Sequence, residues 1–380
     1  MRNLYRNALI ALPIIAVLIP SSSFAQYETR TEWNKPSGGT LNISVFTFRD
    51  ANRDGTYDMG DRPMSGVVVD ATGFDRTETA VSNSAGFANF RMSGTSTDAE
   101  ITFAGPYKFH TLVPPGWSVT TGNDLQQSVF ELMPGSPADL VAKPAPSLVG
   151  LMPDLSISGR VADKATTVEA VSPTGEIVPV SLRDDDSFVV PASPGDWQLR
   201  WHPKGAADAV TTKVTVDQVP VVVASLDQPA AAPDGVAQPP ITFDELVVEG
   251  ILKIPSGYDG LKWNNFVAAH QKFYDPEGYR NTAMSGEFVA YNGSGHPATL
   301  SADKPFTFVG GYFGASTGEA EGLKLTVKAW RGDNLAYSED MTLSSMGARY
   351  FLANFTDVTR VEFTTDHYWQ VACDNLDVRL

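Results

Sequence analysis

The residues of this chain best suited to chemistry stand close together. Asp50 to Asp61 reads DANRDGTYDMGD, which places Asp50, Asn52, Asp54, Asp58 and Asp61 at positions 1, 3, 5, 9 and 12, with Gly55 at 6 and Thr56 at 7. These are the donor positions of a twelve-residue calcium loop, in which position 6 makes the sharp turn and position 7 offers its backbone carbonyl. Calcium is a hard cation that takes roughly six to eight oxygens, and carboxylates spaced two apart let one short loop wrap it. Four carboxylates in so short a loop repel one another unless a cation sits among them. The other reading is a turn whose Asx side chains cap their own backbone. Occupation of every side-chain position, together with the glycine, favours Ca²⁺ held by Asp50, Asn52, Asp54, Thr56, Asp58 and Asp61. The Asp at position 12 has a shorter arm than Glu, which implies weaker or monodentate ligation.

A second acidic group is split across the last third of the chain, with Asp244 and Glu245 at its start and Asp374 and Asn375 at its end. In a sandwich whose first and last strands lie side by side these would share one edge, either as a structural calcium site or as strand-end caps. Trp263, Tyr312, Trp330, Tyr368 and Trp369 are candidates for a flat platform on which the apolar face of a sugar stacks; core packing is the alternative for each. Asp184-Asp185-Asp186 reads as a solvated turn.

Catalytic patterns are scarce. The one G-x-S-x-G match, Gly314 to Gly318, is followed by the strand-like GLKLTVKAW, whereas a nucleophile elbow needs a helix there, so it reads as a small-residue turn. H-E-x-x-H, Walker and G-x-G-x-x-G patterns are absent. His110, His202, His270, His296 and His367 are scattered singly, and Cys373 lies in an apolar run that should bury an inert thiol. Carboxylate pairs for glycoside hydrolysis, roughly 5 to 9.5 Å apart, are set by a fold and not by sequence spacing. A non-enzyme is expected.

Composition narrows the partners. MRNLYRNALIALPIIAVLIPSSSFA joins a basic start at Arg2 and Arg6 to an apolar run over 8–19 and a small-residue exit, the layout of a secretory signal peptide cleaved after Ala25. The run is shorter than the ~20 residues a spanning helix needs. No Cys follows the cleavage point to take a lipid, and no apolar tail closes the sequence, so the expectation is a soluble protein that is secreted, periplasmic or at the cell surface. Loss of the two arginines takes the formal charge from −16 to −18. Nucleic acid and anionic membrane are then poor partners, while neutral glycans, basic surfaces and divalent cations remain. With one cysteine the chain has no internal disulfide, so its stability must come from cores and from metal.

The elements that must position these groups are strands. At 380 residues there is room for two or three domains. After a polar leader over 26–39, the runs LNISVFTF, SGVVVDATG, AGFANFRM and YKFHTLVPPG are rich in Val, Ile, Phe and Thr and bounded by turn residues, the mark of an all-β module over 40–134. A Pro-rich break over 134–146 precedes a second series, LSISGRVAD, TTVEAVSP, IVPVSLRD, DSFVVPA, DWQLRWHP and VTTKVTVD, over 150–227. Both series open on an Ile-Ser strand (Ile43-Ser44, Ile157-Ser158) and later carry a Pro-Gly turn with a Trp (Trp117, Trp197), a faint internal repeat. The Pro/Ala-rich segment 228–240 reads as a semi-rigid linker. Residues 241–380 return to strands: FDELVVEGIL, PFTFVGGYF, GLKLTVKAW, ARYFLANF, RVEFTT and WQVACDNLDV. The expected fold is all-β, with tandem immunoglobulin-like or prealbumin-like β-sandwich modules and a C-terminal jelly-roll sandwich.

FRDANRDGTYDMGDRPMSGVVVDATG, SNSAGFANF and YKFHTLVPPGWSVT, within about 41–123, resemble the SdrD B-like domain of bacterial surface proteins. The resemblance implies a calcium-stiffened spacer in an adhesive or matrix protein, although that family commonly has Glu where Asp61 stands. The second module, with SISGRV and PGDW, looks loosely like carboxypeptidase-regulatory-type sandwiches, without a ligand loop. FDEL, IPSGYDGLKWNNF and VACDNLDV resemble a group of secreted bacterial and fungal sandwich domains that look like jelly-roll carbohydrate-binding modules. Together these imply an exported, calcium-binding, non-catalytic protein of cell-surface or matrix adhesion, with a polysaccharide- or cell-surface-glycan-binding terminal domain on a two-module stalk. The alternatives are a secreted carbohydrate-active enzyme or its accessory subunit, and a structural envelope component.

Overall fold

A computed structural model describes residues 42–91, 99–100, 105–129, 146–161, 167–183, 187–202, 208–217, 220–223, 239–246, 250–274 and 277–380. The expected signal peptide, the leader, Asp184-Asp185-Asp186 and most of the 228–240 linker lie outside these. The described chain is all-β, organised as tandem sandwiches with a larger C-terminal one. Among the described residues no helix is long and apolar enough to cross a membrane.

The first module contains β1 (Asn42–Arg49), β2 (Arg62–Pro63), β3 (Val68–Gly73), β4 (Arg76–Val81), β5 (Phe87–Arg91), β6 (Ala99–Glu100), β7 (Gly105–Thr111), β8 (Trp117–Val119), β9 (Asp124–Val129) and β10 (Ser147–Pro153). One sheet runs β6-β5-β1-β10-β8, with β2 on β1, and the other β4-β3-β7-β9. Side chains alternate across each strand, so Val69 and Ala71 of β3 and Tyr107 and Phe109 of β7 turn inward onto Ile43, Val45, Phe90 and Leu151. β1 is buried on both faces: Phe46 and Phe48 form a second cluster with Phe87 on the outer side of the sheet. β10 runs parallel to β1, Val45 opposite Ser147 and Arg49 opposite Leu151. The first module therefore extends to Pro153, beyond the boundary expected at 134, because Ser147–Pro153, whose last residues fell within the expected range of the second module, closes the sheet of the first.

The second module comprises β11 (Leu155–Arg160), β12 (Thr167–Val171), β13 (Ile177–Val180), β14 (Ser187–Ala192), β15 (Gly195–His202), β16 (Val210–Val216) and β17 (Val221–Val222). Its sheets are β14-β11-β17 and β13-β12-β15-β16. Apart from β2, β6 and β8 this is the plan of the first module: β11 pairs antiparallel with β14 and parallel with its closing strand β17, as β1 does with β5 and β10. The four-stranded sheets also match in order. The repeat is thus one of topology, but the two Trp residues used to align it are not equivalent. Trp197 lies on β15, the counterpart of β7, whereas Trp117 lies on the extra strand β8.

The C-terminal domain has β18 (Ile251–Lys253), β19 (Lys262–Asn264), β20 (Phe266–His270), α1 (Glu277–Thr282), β21 (Phe288–Asn292), β22 (Ala298–Ala315), β23 (Lys324–Arg331), β24 (Asn334–Thr342), β25 (Arg349–Thr365) and β26 (Val371–Arg379). They hydrogen-bond in the order β18-β20-β21-β26-β22-β25-β23-β24, with β19 on β22. The long strands β22 and β25 serve both layers, and the sheet closes over one aromatic core that includes Phe243, Trp263, Phe308, Phe355 and Phe363. ARYFLANF and RVEFTT, read as two strands, are one, because Asn354 and Asp357 take left-handed φ of 47° and 59° beside register shifts in the pairing of β22 with β25. FDELVVEGIL, read as a strand, instead turns at Phe243 (φ 65°) into a 3₁₀ turn over Asp244–Leu246, and among its other described residues Ile251 and Leu252 lie in β18.

The domains do not form a linear stalk. Asn281 Nδ2 donates to Ser65 O at 2.6 Å, and Trp117 Nε1 to Ala348 O at 2.8 Å, tying the first module to the C-terminal domain. Ser158, Arg160 and Phe188 of the second module share a recess with Glu339, Leu352 and Asn354. The C-terminal domain packs against both.

Candidate functional site

The acidic loop leaves β1 at Arg49 and returns at β2. Asp50 is fully buried; its Oδ2 accepts the Gly55 N–H at 2.8 Å and its Oδ1 is buried without a hydrogen-bond partner. Asn52 Oδ1 accepts the Asp54 N–H at 3.1 Å, and Asp54 Oδ1 the Thr56 N–H at 2.7 Å, successive Asx turns that curl the chain. Gly55 adopts φ 76°, and a side chain there would press on Thr120 O at 3.3 Å. Tyr57 packs edge-on against Phe46 at 4.8 Å and Phe48 at 5.3 Å, pinning the loop to the outer face of the first sheet. This anchor was missed in the sequence, where its only signal was one aromatic among acids.

The polar side chains converge only in part. Asn52 Nδ2 donates to Asp54 Oδ2 at 3.1 Å and to Asp58 Oδ2 at 3.4 Å, so the amide holds two carboxylates together. Asp61 accepts the Ala51 N–H at 2.8 Å and the Asp58 N–H at 3.0 Å. Among the described residues no three His, Cys, Asp or Glu side chains gather into a ready metal cluster. The donor chemistry nonetheless suits a hard cation. Each candidate ligand offers oxygen, Asp50 Oδ1 is orphaned, and Asn52 turned about its terminal bond presents an oxygen between the carboxylates.

The loop adjoins the C-terminal domain. Arg49 Nη1 donates to Ala283 O of that domain at 2.7 Å, while Arg53 Nη2 donates to Pro153 O, within the first module, at 2.7 Å. Burial, with Arg62's charge acting the same way, lowers the Arg49 pKa to about 10, while Asp374 opposes that shift. The Tyr312 hydroxyl is buried near both arginines and without a partner, and burial raises its pKa. A cavity of about 320 Å³ opens beside this contact, between Tyr57, Arg62 and Trp117 on one wall and Gln271, Arg280 and Glu287 on the other.

The second acidic group is divided. Ile241 bridges to Leu376, so the two ends of the domain do meet. Asp244 Oδ1 accepts the N–H groups of Glu287 at 2.7 Å and Phe288 at 3.2 Å, Asp374 Oδ2 that of Ser285 at 2.9 Å, and Asn375 Oδ1 the Ser285 hydroxyl at 2.6 Å. These three residues cap one loop over 285–288. Glu245 is directed elsewhere, accepting the Tyr258 hydroxyl at 2.8 Å. Burial raises Asp374 well above the ordinary carboxylate range, and nearby Asp244 adds to the shift.

The aromatic candidates separate by exposure. Trp263 (5 % exposed) and Tyr312 (0 %) are core residues and cannot act as a platform, a correction to the expectation for those two. Arg360 lies 4.0 Å over the Trp330 ring and covers that face. Trp369 is half-buried, and Tyr368, 66 % exposed, meets His296 edge-on at 4.9 Å. Ser316 of the G-x-S-x-G match is buried at the end of β22, followed by a 3₁₀ turn and β23. Cys373 is buried, and that burial pushes its thiol pKa up.

No family model matches the chain, and no curated protein matches it. Solved structures give remote likenesses. One is the Bacillus anthracis TIE protein, at 10 % identity and TM-score 0.22 over 49 % of this chain and 33 % of that one. Another is a variant of the shaft pilin SpaA of Lactobacillus rhamnosus GG, at 12 % and 0.20 over 49 % and 98 %. A third is the M60 catalytic domain with CBM51 domains of Clostridium perfringens ZmpB, at 8 % and 0.23 over 85 % and 31 %. The chain spans about a third of the length of the first and third of these. Such TM-scores carry no argument, and the fold rests on the chain's own sheets.

Proposed function

We propose that the chain is an exported, non-catalytic β-sandwich protein of the cell surface or extracellular matrix. Its first module is stiffened by calcium in the 50–61 loop, and its C-terminal domain binds glycan. The observation that carries this reading is the buried, unpartnered Asp50 Oδ1 in a loop whose candidate ligands are carboxylates, an amide and a backbone carbonyl. Asp50, Asn52, Asp54 and Asp58, with the Thr56 carbonyl and Asp61, would hold the ion. The ion would supply the positive charge now partly substituted by one amide. The docking of loop-flanking Arg49 on Ala283 makes the loop a support for the C-terminal domain as well as for its own module.

Glycan binding is assigned to the C-terminal domain, where Tyr368 and Trp369 remain accessible to a ring. A glycan array probed with the full mature chain, with and without calcium, tests the assignment, alongside an assay for release of reducing ends. Calcium-dependent binding without turnover is expected. Turnover would instead mark the chain as a carbohydrate-active enzyme, and a blank array would remove the glycan reading.

A further inference from the structure

We propose that the cavity between the first module and the C-terminal domain binds an acidic sugar, a pyranose ring bearing a carboxylate. This deepens the glycan reading above and rests on it, but it names a different site from the exposed aromatics. At about 320 Å³ the cavity lies near the small end of ligand pockets, which run to roughly 300–1,000 Å³. Each wall comes from a different domain, so the site exists only in the docked molecule.

Its charge is opposite to that of the chain. Arg49, Arg62, Lys272 and Arg280 line it against only Asp61 and Glu287, in a protein of formal charge −16. Both acids are already engaged. Asp61 accepts two backbone N–H groups of its own loop, and Glu287 accepts from Gln271 and faces Arg62 at 3.5 Å. Two of the cations retain unused donors. Arg62 Nη1 is buried with no acceptor, and the half-exposed Arg280 side chain makes no hydrogen bond or ion pair among the described residues. A buried guanidinium donor without an acceptor is costly, and a carboxylate restores the missing bonds with charge-assisted, bidentate geometry. The remaining lining suits a ring more than a bare anion. Tyr57, Met64 and Trp117 offer an apolar wall for C–H faces, and Ser84 offers a hydroxyl partner.

Calorimetric titration of the full mature chain with glucuronate, glucose and sulfate tests this, in wild type, Arg280→Gln and Arg280→Lys. Glucuronate should bind at least about ten-fold more tightly than glucose or sulfate. Arg280→Gln should weaken it about ten-fold or more, with the melting temperature unchanged, and Arg280→Lys should weaken it less, since charge is kept but the planar fork is lost. Equal binding of glucose, equal binding of sulfate, or indifference to Arg280→Gln in a folded protein would each overturn the proposal. Array binding of neutral glycans that persists in Arg280→Gln, with no glucuronate binding, would remove this site while leaving the broader glycan reading intact.

Discussion

If the 50–61 loop holds calcium, the ion must appear as stability. A ligand that binds only the folded state at about 100 times its dissociation constant adds about 2.7 kcal/mol. Extracellular calcium modules bind at roughly 10⁻⁴ to 10⁻³ M, so about 10 mM calcium reaches that ratio at the tighter end. A module of this size melting alone shifts by ~4–8 °C per kcal/mol, hence ~10–20 °C; a larger cooperative unit shifts by ~2–4 °C per kcal/mol, hence ~5–10 °C. Arg49, Trp117 and Asn281 bond the first module to the C-terminal domain, so the smaller range is expected in scanning calorimetry of the full mature chain. Asp58→Asn should reverse sign with conditions. In chelator it removes one of the carboxylates that Asn52 now bridges and should leave the melting temperature level or higher; in calcium it deletes a ligand and should abolish the shift. Equal melting temperatures, within about 1 °C, in chelator and in 10 mM calcium would refute the calcium reading, as would a full calcium shift in Asp58→Asn.

Three further outcomes follow from the packing. Trp117→Phe leaves the Ala348 carbonyl without its donor and should cost about 1–3 kcal/mol, with the single transition splitting toward two in calorimetry. Burial raises the Asp374 carboxyl, so in the pH range above the unfolded value of about 3.9 the folded chain keeps a proton that the unfolded chain has lost, and stability falls as pH rises through that range. Asp374→Asn should flatten the melting temperature against pH above the unfolded value of about 3.9. At Gly278, on α1, an added Cβ would lie 1.8 Å from Ala315 O, so Gly278→Ala should destabilise by about 1–3 kcal/mol or more in urea titration.

Strands were legible wherever Val, Ile and Phe alternated between turn residues, as in β1, β3, β12 and β23. Legibility failed where a turn residue was absorbed within a strand, as at Asn354 and Asp357, because a bulge and a loop share the same Asn and Asp chemistry. It also failed at the start of FDELVVEGIL, since only tertiary packing of the buried Phe243 specifies its left-handed backbone. α1 was not read, although Pro276-Glu277 is a helix-start signal, because six residues carry too little periodicity. The spacing of acids in the 50–61 loop stands in the sequence itself. The anchoring of that loop by Tyr57 and its abutment on the C-terminal domain were not legible, because contacts such as Arg49 with Ala283 join positions far apart in sequence. Burial of Trp263 and Tyr312 was likewise hidden, since an aromatic on a strand does not declare which face it takes.

The parallel closing strands of both modules have a mechanical consequence. Because β10 runs alongside β1 in the same direction, and β17 alongside β11, the backbone enters each module at one pole and leaves at the other. Tension on those two ends draws the paired strands past each other lengthwise, so their ladder bonds are loaded together in shear and not unzipped singly. A sandwich closed this way must break a run of ladder bonds at once before its terminal strands part.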